Sequence, residues 1–413
     1  SASVDGTLDS ISIKHCIAEA NIQHIKYRGY TYHDLRFDGE LDNKEIQGHF
    51  SVKDPNINLG INGLANWSQE DTRLDITTHI HDFCPHAIHL TDDYSEMTIG
   101  ATAYINLSTS GKQWIDNLNG CVTIDTFSIQ NGHKQAVMEQ MKLLIGHEIK
   151  NGKSAHRLQL QSDYVTANMS GEYQYTTLKN TIQQIISTYL PSLVEKPKKK
   201  NRQPNDLTFY AYFRELGQIS DVLNLDISLP HYPTIKGTIN ECTQQVELQA
   251  YIPSINTSGT NIKDLTIALN NQNNALDLSV YMYNRLPKHN PTAAKIGDVK
   301  AHINMAAQND EIELQVSLDN TDSVRNEGVI NITSSIVRYA NKPLFDIHIH
   351  PSDFLLNDSA WSVTESQIVY NTHEQKMHVN NFSLSTDYQT IAANGTASKD
   401  LQDSIHVRLQ NID

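Results

Sequence analysis

The chain has 413 residues, 47 of them acidic against 32 basic, for a net charge of −15. That balance excludes a nucleic-acid binder held by phosphate attraction, and no run of 18 apolar residues offers a membrane-spanning helix. The length predicts two or three domains, and a start at Ser1 with no charged-then-apolar leader predicts a piece excised or processed from a longer chain.

In chain order, the first clear element is KDPNINLGINGLANW, Lys53 to Trp67. Ile57, Leu59, Ile61, Gly63 and Ala65 occupy one parity, and Asn56, Asn58, Gly60, Asn62 and Asn66 the other. Successive strand residues point to opposite faces, so this reads as a strand with one apolar and one amide-rich face. Leu74, Ile76 and Ile80 repeat the pattern against Asp75, Thr77, His79 and His81, as do Met97, Ile99, Ala101, Ala103, Ile105 and Leu107. Ala136 to Ile145 fits a helix and a strand equally well. Leu178 to Leu190 predicts a helix through Leu178, Ile182, Ile185, Ile186 and Tyr189, stopped by Pro191.

The basic run EKPKKKNRQPND, Glu195 to Asp206, reads as a solvated linker between segments 1–194 and 207–413. A short helix is expected near Leu216 to Leu223. Alternation then returns at Val246 to Ile252, Leu276 to Met282, and Val299 to Met305, the last joined to Ile312 to Leu318 by an Asn309-Asp310 turn. Ile347 and Ile349, Phe382 and Leu384, and Ile405, Val407 and Leu409 continue it. FDGEL at Phe37, IKGTI at Ile235 and ANGTA at Ala393 form a weak internal repeat.

Motifs for chemistry are scarce. No Gly-x-Ser-x-Gly elbow, phosphate-cradling loop or dinucleotide fingerprint occurs, so no enzyme is predicted. HIHDFCPHAIH, His79 to His89, is the densest set of metal-type ligands, but its spacing matches no established zinc pattern. His348 and His350 carry as little weight. Cys16, Cys84, Cys121 and Cys242 form no Cys-x-x-Cys pair and read as buried small hydrophobes.

A one-sided sheet must hide its apolar face under a second sheet, helices or itself. Helices are too few here, which leaves a sandwich, a barrel or a sheet folded into a trough. With aromatics at only 7 %, the inward positions are mostly aliphatic and suit a smooth lining. The expected class is all-β: an elongated, curled antiparallel sheet with an apolar concave face and one or two short helices.

Two stretches carry a family resemblance. YRGYTYHDLRFDGELDNKEIQGHFSVKDPNINLGINGLANW from Tyr27, with its Asp-Gly turn and Asp-Pro-Asn, resembles the repeat of TamB and other AsmA-like envelope proteins. FDIHIHPSDFLLNDSAWSVTESQIVYNTHEQKMHVNNFSLSTDYQTIAANGTAS from Phe345 is similar to a Trp-containing part of the same family. The resemblance implies a periplasmic β-groove protein, anchored in the inner membrane at full length. It implies phospholipid transport to the outer membrane and assistance to outer-membrane protein assembly with a barrel partner, without catalytic residues or cofactor. The anchoring helix and the domain that meets the barrel partner are not recognisable here. The implied contacts to phospholipid acyl chains are Ile57, Leu59, Ile61, Leu74, Ile76, Ile99, Leu248, Leu278, Val280, Ile303, Leu314 and Val316. The rival expectation is a pair of β-sandwich domains from an adhesin-like surface protein. A polysaccharide-acting β-solenoid would need a coil repeat of about 20 to 30 residues, which is absent.

Overall fold

A computed structural model describes residues 2–9, 12–67, 72–198, 203–257, 261–285, 299–320, 324–400 and 402–412. Lys199, Lys200 and Arg202 of the basic run lie outside the described residues. The chain divides into two compact units, Ser1–Thr176 with Phe209–Ser228, and Thr177–Thr208 with Leu229–Asp413.

The all-β expectation holds, and the helices are two short ones, α1 (Leu178–Tyr189) and α2 (Gly217–Val222). In the first unit the strands Tyr30–Asp42, Glu45–Asp54, Ile57–Trp67, Thr72–Phe83, Met97–Thr109 and Asn119–Asn131 pair antiparallel in sequence order. Asn119–Asn131 then pairs with both Lys134–Met138 and Met141–Lys150. The segment that suited helix and strand equally is therefore two strands. In the second unit Thr234–Asn240, Gln245–Asn256, Asn261–Asn270, Leu276–Arg285, Val299–Gln308, Glu311–Asp319, Glu327–Tyr339 and Lys342–Ile349 form a second meander.

The turns explain why the order is sequential. Asn309 and Asp310 have φ of 54° and 66°, and Asn357 and Asp358 of 52° and 59°, the left-handed pairs that match the twist of a two-residue hairpin. The Asp-Pro-Asn turn is held by Asp54, which is 5 % exposed: its carboxylate accepts from the Tyr30 hydroxyl and from the amides of His33 and Asn56.

Glycines let strands of the first sheet approach closely. Gly39, Gly48 and Gly63 face one another across three strands on the apolar parity. A Cβ on Gly48 would stand 2.6 Å from the Asp38 carbonyl oxygen and 2.9 Å from Gly39 Cα, so the strands close toward that face more tightly than any side chain allows. The Gly of each internal repeat lies on the apolar parity, opposite Gly48, Leu248 and Val379.

Little of this sheet is covered. The accessible surface is 24961 Å² for a 46.5 kDa chain, whereas two separate globules of half that mass would together expose about 19,000 Å². Two expectations need correction. None of the four cysteines is buried: Cys16, Cys84 and Cys121 are half-buried and Cys242 is exposed, all as free thiols. The helix Leu178–Tyr189, expected to close the first segment, belongs with the second unit.

Candidate apolar site

In the second unit the registers align the apolar parity into rows that cross the strands. One row runs Leu248, Leu269, Leu278, Met305, Leu314, Ile332 and Ile349, each directly opposite the next. The adjacent row runs Ala250, Ile267, Val280, Ile303, Val316 and Ile330. Of the expected contacts, Leu248, Leu278 and Leu314 share the first row, and Val280, Ile303 and Val316 are consecutive in the second. Ile267, Leu269, Met305, Ile330, Ile332, Ile349 and Ala250 complete the rows and were missing from the expected set. Period-2 alternation marks them, but a register shift between Lys263 and Thr266 blurs it at the first of these strands.

Helix α1 covers the hairpin ends and reaches the first row at Leu269. Ile185, Tyr189 and Leu190 pack into a core with Leu276, Ala307 and Ile336, with Ile239, Val246, Leu269, Ile312 and Phe345 against it. Several of these residues pair across successive turns, Ile239 with Val246, Ala307 with Ile312, and Ile336 with Phe345, and Leu276 pairs with Ala307. Polar bonds tie the helix to each turn. The Thr181 hydroxyl donates to Glu241 at 2.7 Å, and Asn271 Nδ2 donates to the Tyr189 hydroxyl at 2.9 Å. The Asp310 amide donates to the Tyr189 carbonyl at 2.9 Å, the Ser192 amide to Asp310 at 2.7 Å, and Arg338 to Glu195 at 2.6 Å.

The consequence is a step in burial. Leu276 and Ala307 are 7 % and 0 % exposed, whereas Leu278 and Met305, two residues along the same strands, are only half-buried; Ile336 is 2 % exposed, and Ile332, four residues along its strand, is half-buried. Ile182, expected on the apolar stripe of the helix, is 46 % exposed, because the helix meets the rim with a narrow face.

The first unit repeats the logic. Leu59 faces Val52 and Ile80, Ile61 faces Phe50 and Thr78, Ile76 faces Gly63 and Ile105, and Leu74 faces Ala65 and Leu107. Ile57 and Ile99 both face Phe83, beyond a bulge. All six expected residues here lie on one face, half-buried. Beside Gly48 and Gly63, an apolar hollow of about 160 Å³ opens over Phe37, Phe50, Ile61 and Ile76.

One corner of this face is not aliphatic. His147 and His156 are opposite each other, next along the strands from Ile145 and Leu158, with ring centroids 4.9 Å apart. Tyr173 and Tyr175 pack on His156 at 5.0 and 4.9 Å, and Asp116, 1 % exposed, is bound by the Thr176 amide and hydroxyl. His156 is 3 % exposed and neither ring nitrogen has a hydrogen-bond partner. Burial and the neighbouring His147 lower its pKa to about 4, against a smaller opposing pull from Asp116. Burial lowers His147 as well. The parity of Leu143, Ile145 and His147 was the available signal.

The histidine-rich stretch disperses. His79 bonds Thr102 on the polar face, and His89 reaches the Arg28 carbonyl. Among the described residues no three metal-type ligands gather, and no helix is long and apolar enough to cross a membrane. No family model, no curated protein and no solved structure matches this chain.

Proposed function

We propose that the chain is a lipid-handling segment of a TamB-like, AsmA-like envelope protein, in which the aliphatic rows shield phospholipid acyl chains while headgroups stay in water. One observation carries the reading: the rows through Leu278 and Val280 are continuous and, apart from Ala250, only half-buried, while Leu276 and Ala307 beside the first row are buried against α1. Exposed apolar patches of this extent on soluble proteins mark binding sites. From Leu248 to Ile349 the row crosses seven strands, about 29 Å at the usual spacing. That exceeds one bilayer leaflet's hydrocarbon depth of about 15 Å. Equivalent contacts worth about 0.8 kcal/mol per methylene hold a chain firmly and let it slide between like sites. On this reading the segment works in the periplasm, carries lipid between inner and outer membranes or assists barrel assembly, and needs no catalytic residue.

The test is native mass spectrometry of delipidated protein after incubation with phospholipid vesicles. Bound phospholipid is expected in the wild type and its loss in Leu278→Asp with Val280→Asp, with the circular dichroism of the strands retained. Absence of lipid from the folded wild-type protein would refute the proposal. A sandwich core, the rival expectation, would have buried these same rows under a facing layer.

A further inference from the structure

The polar face of the first unit holds a hollow of about 520 Å³, within the size range of ligand sites. Its floor is the row Arg36, Ser51, Gly60 and His79. Gly60 is the opening: a Cβ there would meet nothing within 4 Å, so the missing side chain leaves the space. The two cations at this hollow, Arg36 and Lys53, make no hydrogen bond or ion pair among the described residues. Glu19 and Asp38, in the neighbouring row, stand directly opposite each other with no partner of their own. Like charges placed so destabilise a strand pair, and neither cation approaches within ion-pair distance to offset them.

The geometry points to a binding site for a phosphate ester that also carries a hydroxyl or ammonium group. The phosphate meets Arg36, whose planar fork suits its oxygens, and Lys53. The donor at the other end meets Glu19 and Asp38. Arg36 and Asp38 are two residues apart on one strand, so the two subsites lie about 7 Å apart, the span of a small ester. The imidazoles of His49 and His79 also line the hollow, already oriented by Asn62 at 2.7 Å and Thr102 at 3.4 Å. This site is on the polar face of the first unit, opposite that unit's own apolar face, and stands independently of the lipid reading.

Calorimetric titration of the full chain with glycerol 3-phosphate and phosphoethanolamine, with glycerol as the control, tests it. Saturable binding of both esters and none of glycerol is expected. Arg36→Gln with Lys53→Gln weakens it by at least about tenfold, as loss of charged hydrogen bonds requires. Gly60→Ile fills the hollow and abolishes binding with the thermal midpoint retained. Competition by vesicles of phosphatidylethanolamine and phosphatidylcholine in equal parts identifies a lipid headgroup as the source, and failure to compete identifies a soluble ester. No saturation at millimolar ester by folded wild type, or unchanged binding in Gly60→Ile, overturns the assignment.

Discussion

Acidification acts on the first unit through His156. Its ring is 3 % exposed, neutral, and packed between His147, Tyr173 and Tyr175, with the Asp116 carboxylate acting on it electrostatically. The folded pKa is lowered from 6.5 to about 4. Above pH 6.5 both folded and unfolded chains hold the ring neutral, and the group does not affect the pH slope. Between 6.5 and 4 the unfolded chain takes up a proton that the folded chain refuses, so stability falls as pH falls, and it levels off below about 4. At 1.36 kcal/mol per pH unit the loss is about 3 kcal/mol. Urea unfolding from pH 7 to 4, compared with His156→Phe, isolates this contribution because every other carboxylate and histidine is common to both proteins. The variant keeps an aromatic ring and removes two orphaned nitrogens, so it is expected to be the more stable at pH 7 and to lose about 3 kcal/mol less on acidification. Parallel curves for the two proteins would refute the account.

Other perturbations follow the same reasoning. Gly48→Ala places a Cβ 2.6 Å from the Asp38 carbonyl oxygen, so it is expected to destabilise by about 1–3 kcal/mol in urea; a smaller change would mean that the strands move apart there at little cost. Asp54→Ala strands the Tyr30 hydroxyl and the amides of His33 and Asn56, for about 2–4 kcal/mol. The Tyr30 phenol, raised by burial and then by its bond to Asp54, should fall toward 10 in an ultraviolet pH titration, and an unchanged value would remove Asp54 as a cause. Asp310→Gly with Arg338→Ala cuts two ties of α1 while keeping the left-handed turn. Amide exchange over residues 190–194 should quicken by about tenfold or more without loss of strand protection, and unchanged exchange would make those ties incidental.

The apolar parity was legible wherever a strand ran without a bulge. Leu248, Leu278, Val280, Ile303, Leu314 and Val316 needed only period 2, and their registers put them in two rows. Ala136 to Ile145 misled because two strands meet there out of phase. Val137 and Leu144 are 42 % and 37 % exposed, Met141 faces inward, and the break between them is set by Asp163 accepting the amides of Glu139 and Gln140. Helical spacing arose from that change of phase. The place of α1 was illegible for a different reason: its anchors Glu241, Asn271, Asp310 and Arg338 lie 60 to 143 positions away in sequence. A basic, proline-framed run near its end suggested a boundary that those long-range bonds override.

The arrangement of α1 also bears on why the rows beyond it stay open. A helix lying on the centre of the face would bury Leu278, Val280, Ile303 and Leu314, and its own apolar stripe would need to be broad. Instead Ile182 is 46 % exposed, and the helix is fixed at the turns by polar bonds that hydrophobic packing alone would not require. Those bonds hold it at the rim, away from the larger apolar area that would otherwise attract it. Each half-exposed Leu or Ile side chain forgoes part of the 1.5–3 kcal/mol that full burial provides. Such a loss, repeated along two rows and maintained by specific ties, is consistent with a face whose cover is exchangeable rather than built in, which is what the proposed acyl-chain track requires.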